Sequence, residues 1–257
     1  MGTASQRVRG RLYSLAAAFT SSAMWAASDG RRFGQAQRYL DRAVALADMS
    51  ADPAVRFRVW GHAGAMFRQL GRPVDALAAQ EVARTTTTAR RDPMYASLAH
   101  SRAAVAHAAL GDQVATRRAL GFAEAALDRA DAAAQRPPWM HFYDRAEHEG
   151  LAMLAFLRLG MYAEAEARAH RSLALRKPEL VRNRALTQAD LAHSQLGQNE
   201  LDAAVASAKV VPIEMWRGRT ARLLADFGTR LERVAPLSTA ARQWADHTSG
   251  NNLTGAA

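Results

Sequence analysis

The residues best equipped for chemistry lie close together: His141, Phe142, Tyr143, Asp144, Glu147, His148 and Glu149. On a helix, His141, Asp144 and His148 fall at i, i+3 and i+7 and share one face. Imidazoles beside a carboxylate could ligate a metal or move a proton. No His-Glu-x-x-His pattern and no second ligand cluster accompany them. Structural or surface roles are therefore the stronger reading, and no metal site is expected. His100 and His107, seven apart, read as helix-packing or groove residues. The stretch Gly61-His62-Ala63-Gly64 is not a phosphate loop, because no strand precedes it and Gly64 has a packing role of its own. The chain has no Walker lysine motif, no dinucleotide fingerprint and no Gly-x-Ser-x-Gly elbow. It has no cysteine, which excludes a thiol nucleophile, a disulfide framework and every Cys-based metal site. The expectation is a non-enzymatic protein without a cofactor.

Composition says which elements position these residues. Of the 257 residues, 59 are alanine, the strongest helix former, and 49% are hydrophobic. That predicts an all-α chain of closely packed helices. No run of 18 apolar residues exists, so no membrane span is expected. The formal charge is +10, and among the basic residues only Lys177 and Lys209 are lysines. A chain rich in Ala and Arg but poor in Lys is what a GC-rich genome produces. The arginines are dispersed, densest at Arg7/Arg9/Arg11, Arg31-Arg32, Arg90-Arg91 and Arg117-Arg118. A dedicated nucleic-acid surface concentrates its charge on one face, so direct nucleic-acid binding is a rival reading rather than the lead. The apolar stretch Leu12 to Phe19 after these first arginines is too short for a signal peptide and breaks at Thr20-Ser21-Ser22. A cytoplasmic protein is expected.

The chain is also repetitive. Leu-Gly recurs at Leu70-Gly71, Leu110-Gly111, Leu159-Gly160 and Leu196-Gly197, each between two Ala-rich amphipathic segments. Glycine just past a helix end can take the left-handed conformation that closes it, so each site predicts a helix hairpin. The best copy runs from Phe57 to about Thr88. Trp60, Gly64, Phe67 and Ala76 fall at tetratricopeptide spacings, with Ala63 in place of the first Leu and Gln80 in place of the second-helix aromatic. A first, weaker copy turns at Asp29-Gly30, and Met215 to Trp244 reads as a terminal cap. Roughly twelve helices stacked as six antiparallel hairpins would use the length, as an α-solenoid forming a tetratricopeptide-like right-handed superhelix. One domain over 1–247 and a flexible tail over 248–257 are expected.

Four stretches carry a more specific likeness: Met24-Trp25 through Asp29-Gly30 to Leu40; the hairpin Trp60 to Ala83; Pro137-Pro138-Trp139 through Phe142, Asp144, Ala146 and Glu147; and Arg184 to Leu191-Ala192 with Gly197 and Ala203-Ala204. In these the chain resembles the tetratricopeptide-like C-terminal region of actinobacterial XRE-type (helix-turn-helix) transcriptional regulators. Such regulators carry an N-terminal DNA-binding domain, for which there is no room before Tyr13. The resemblance implies the sensing or partner-binding part of a regulator, as a fragment or a stand-alone relative.

Tetratricopeptide arrays bind through the concave face lined by the first helix of each hairpin. Counted from the anchoring glycines, the groove candidates are Trp25, Arg58, Arg68, Gln69, Ser101, Glu147, Arg158, Arg184, Thr187, Ser194 and Gln195. Four arginines among several amides and hydroxyls suit a carboxylate or a peptide backbone. The Lys and Asn set of arrays that clamp chaperone C-terminal tails is absent. The leading expectation is a groove that takes a peptide, protein or small-molecule ligand in transcriptional regulation. A homodimer and an indirect link to DNA through an attached or partner DNA-binding domain go with it. An accessory protein or enzyme using the His141/Asp144/His148 face is the alternative from a different class.

Overall fold

The computed structural model describes residues 5–254, and local chemistry sets most of its helix ends. Thirteen α-helices, two short 3-10 turns and no strand make up the described residues. None of these helices is long and apolar enough to cross a membrane. The chain gathers into two compact units, one through Pro138 and one from Trp139 onward.

The first unit contains α1 (Gln6–Asp29), α2 (Phe33–Ser50), α3 (Pro53–Gln69), α4 (Pro73–Arg84), α5 (Thr87–Arg91), α6 (Pro93–Ala109) and α7 (Gln113–Asp128). Asp52 and Asp92 cap α3 and α6 by accepting backbone N–H bonds, each followed by a proline whose missing N–H costs nothing there. Asp112 caps α7 in the same way. Consecutive helices pack in pairs, α1 with α2, α3 with α4 and α6 with α7. α3 also lies against both α1 and α6, so the first helices of the three pairs are neighbours. Small alanines at the contacts, among them Ala17, Ala36, Ala43 and Ala63, let the backbones approach, and Met24, Leu40, Val59 and Met66 fill the space between them. Trp60 and Phe67 pack on the edge of this core. The substituted position Gln80 has its own logic. Its buried amide donates to the Gly61 carbonyl (3.2 Å) and occupies the notch that a side chain at Gly64 would fill.

The second unit contains α8 (Arg145–Arg158), α9 (Tyr162–Leu175), α10 (Val181–Gly197), α11 (Leu201–Lys209), α12 (Gly218–Val234) and α13 (Thr239–Thr254). α10 is its centre and packs against α8, α9, α11 and α12. Leu196, Val205, Leu224, Phe227, Leu231 and Trp244 form the core. α13 continues to Thr254, into the segment read as a tail from 248. Residues 255–257 of that segment lie outside the described residues.

Three of the four Leu-Gly turns are as expected: Gly71, Gly111 and Gly160 have φ of +69°, +76° and +72°. The fourth is not. Gly197 ends α10, and Asn199 takes the left-handed conformation at φ +64°. Gly197 is small for another reason, since a Cβ there would run into the Tyr162 ring of α9. At Asp29-Gly30 the reversal also falls one residue later, on Arg31 at φ +59°.

Candidate functional site

His141, Asp144 and His148 do not share a helix face. Pro137 and Pro138 keep the preceding backbone out of the helical region, and α8 starts only at Arg145. Asp144 is its N-cap, accepting the Glu147 N–H at 3.0 Å. His141 is exposed in the turn before it, while His148 is buried inside α8. Among the described residues no group of three or more His, Asp or Glu side chains could hold a metal ion.

The same stretch builds an ion-pair lattice instead. The Glu147 carboxylate accepts from Arg176 (2.7 Å) and Asn183 (3.1 Å), and Arg176 also donates to the Ala146 carbonyl and the Ser172 hydroxyl. Gly150 leaves room for that guanidinium; a Cβ there would stand 2.9 Å from it. Buried Glu149 accepts from Arg168 and Arg171 of α9. Arg184 donates to the Leu173 and Arg176 carbonyls. Gln195 is buried and donates to Glu166, Thr187 and Ser194 bond to carbonyls of their own helix, and Arg158 is exposed. Three of the six groove candidates of the second unit, Glu147, Arg184 and Gln195, thus tie α8, α9 and α10 together.

The first unit behaves differently. α1 and α3 bring Trp25, Arg58 and Gln69 onto one shared face. Arg58 and His62 are one turn apart on α3, and Gln69 is two turns further along the same side. The Arg58 guanidinium donates to Ser22 of α1 (2.8 Å), and Gln69 donates to Ser28 (3.2 Å). The Trp25 and His62 rings lie 5.0 Å apart at 32°. His62 is buried with Nδ1 2.9 Å from the Ser21 hydroxyl. From α6, Arg102 lays its guanidinium across Gly61, where any Cβ would overlap it. Arg68 is half-buried in the last turn of α3, and Ser101 is fully buried in α6. In the sequence His62 reads only as part of a glycine-rich stretch, and nothing distinguishes Arg102 from the other dispersed arginines. The i, i+4 spacing of Arg58 and His62 is the one signal that pointed to this row.

Electrostatics sharpens the cluster. Burial holds the His62 pKa well below its ordinary value, and the positive charges of Arg102 and Arg58 depress it further. Burial also lowers the pKa of Arg58. The imidazole is therefore neutral, set between two guanidiniums and an indole face. In the second unit His193 is neutral for a similar reason. Its buried ring meets the Leu223 carbonyl at Nε2 (3.0 Å) and the Arg230 guanidinium at Nδ1 (3.1 Å), an arrangement that requires the proton on Nε2. His100, half-buried, packs against Phe122 of α7.

His62 and His193, each with its pKa lowered by burial, make stability depend on pH with one sign. An unfolded chain protonates them near pH 6.5, while the folded chain resists. Stability is then full above about pH 7.5 and falls as the pH drops through 6.5, by at most about 1.4 kcal/mol per pH unit for each histidine. Melting temperature against pH should show this decline, and His62→Phe, which keeps a ring against Trp25, should remove the His62 share of it and leave that of His193.

No family model matches the chain, and no curated protein is similar to it.

Proposed function

We propose that this chain is a non-enzymatic binding module whose hairpins stack as in a tetratricopeptide-like α-solenoid. Its first helices present a groove to a peptide, protein or small ligand carrying a carboxylate. Binding serves transcriptional control, with DNA reached through an attached or partner DNA-binding domain; this context rests on the resemblance to XRE-type regulators. The observation that carries the binding role is the α1–α3–α6 face, where Trp25, Arg58, His62 and Arg102 converge. A guanidinium offers a planar fork to a carboxylate, and a neutral imidazole beside it adds no competing acid. The Trp25 indole supplies an apolar surface for the group next to that carboxylate.

The test is thermal melting of the protein against fractions of cognate-cell extract, with mass spectrometry of whatever stabilises it. A ligand at a hundredfold excess over its Kd adds about 2.7 kcal/mol. Arg58→Ala should then weaken the ligand identified by about tenfold to a hundredfold, the worth of one charge-assisted hydrogen bond. Tryptophan fluorescence reads the titration, with Trp25→Phe identifying the share of Trp25 among the five tryptophans. Stabilisation by nucleic acid alone, unchanged by Arg58→Ala, would overturn the reading.

A further inference from the structure

Four large apolar side chains of α1 stand in water: Val8 is 49% exposed, Leu12 57%, Leu15 52% and Phe19 73%. Their spacings of four, three and four residues put them in an arc of about 60°. That arc is opposite the face on which α1 buries Ala17, Ser21, Met24 and Ser28. α1 is therefore apolar on two sides, one covered by α2 and α3 and the other open. So narrow a stripe is a coiled-coil seam rather than the broad apolar face of a helix lying in a lipid interface. It ends where Ser22 turns to hold Arg58.

We propose that this stripe is the interface of an antiparallel homodimer, α1 of one copy against α1 of another. The occupant follows from the fit of the stripe to itself. Under a two-fold axis between Leu12 and Leu15, each Val8 meets a Phe19 and each Leu12 meets a Leu15, so every layer holds a similar volume. The flanks obey the same rule. Arg9 faces Ala16 of the second copy and Arg11 faces its Ala18, a long side chain over a methyl group each time. Charge excludes the parallel alternative. Arg7, Arg9 and Arg11 all lie in the first third of α1, and no acid occurs from Gln6 to Ser28. Parallel helices would set the three arginines beside their own copies, along with Phe19 on Phe19. Antiparallel helices shift them about 13 Å along the axis, beyond the screening length at physiological salt. A seam of about 16 Å is small for an interface, so the dimer dissociates in the micromolar range. This proposal is independent of the groove and survives if no ligand is found there.

The test is sedimentation of the full chain across the micromolar range. The mass should rise from one chain to two. Leu12→Glu with Leu15→Glu should weaken association at least tenfold, with an unchanged circular dichroism spectrum because both positions are exposed. Orientation is read by disulfide trapping, since the chain has no cysteine of its own. A mixture of Val8→Cys and Phe19→Cys chains should cross-link under mild oxidant, and neither variant alone should do so. A single chain mass at every concentration would overturn the proposal. So would cross-linking of Val8→Cys with itself, or monomeric uptake by phosphatidylserine-containing vesicles that Leu12→Glu abolishes.

Discussion

Glu147→Ala should destabilise the second unit by about 3–5 kcal/mol, the cost of leaving a buried charge without its partner. The Arg176 side chain is 1% exposed and meets the Glu147 carboxylate at 2.7 Å, while Glu147 itself is 17% exposed. Truncating the acid strands the guanidinium among neutral acceptors, the Ala146 carbonyl and the Ser172 hydroxyl. It also takes the carboxylate from Asn183, which reaches it from α10. Truncating the base is expected to cost less. In Arg176→Met the apolar stem is kept, and the released carboxylate is close enough to solvent to be hydrated. Urea denaturation should show a lower midpoint for Glu147→Ala at an unchanged slope, and a smaller drop for Arg176→Met. The opposite order would show that Glu147 is held for a ligand rather than for Arg176. Unchanged stability with lost ligand binding would return Glu147 to the groove.

Phe227→Ala should cost a similar amount, about 3–5 kcal/mol, for a different reason. Phe227 is fully buried on α12 and is one of the largest side chains in its core. Trp244 of α13 stands edge-on to it at 5.2 Å and 87°, and His193 of α10 at 5.8 Å and 90°. Each such pair adds to the loss of buried area. Removing the ring opens a cavity where three helices meet, and α13 loses the surface that seats Trp244. Urea denaturation measures the stability. A red shift of tryptophan emission before the main transition would report the earlier release of α13. Phe227→Leu fills much of the volume and should recover more than half of the loss.

These two residues show how unevenly function and fold can be read from a linear chain. Helix class and three of the four Leu-Gly turns were legible because their causes are local. Alanine favours a helix wherever it stands. Asp52-Pro53 and Asp92-Pro93 cap and start helices through bonds that span two or three residues. Gly71, Gly111 and Gly160 close helices through their own φ. The expectation failed where a distant neighbour intervened. Gly197 is kept small by the Tyr162 ring rather than by a turn, and Gln80 stands where an aromatic was awaited because its amide reaches Gly61.

The candidate site was less legible for the same reason. In the linear chain Arg58 and Glu147 look alike, both polar and both on the first helix of a hairpin. Which of them stays on the α1–α3 face and which is tied inside depends on partners far along the chain. Arg176 comes to Glu147 from 29 residues away, and Ser22 comes to Arg58 from 36. His62 entered the site only when α1 brought Trp25 over it. The spacing of Val8, Leu12, Leu15 and Phe19 puts a second apolar face on α1, and such a face is equally the mark of a helix buried on both sides; their exposure came only with the structure. Local hydrogen bonding and backbone conformation belong to the sequence. Which of two apolar faces is covered, and which of two charges is neutralised, is settled by packing between helices distant in the chain.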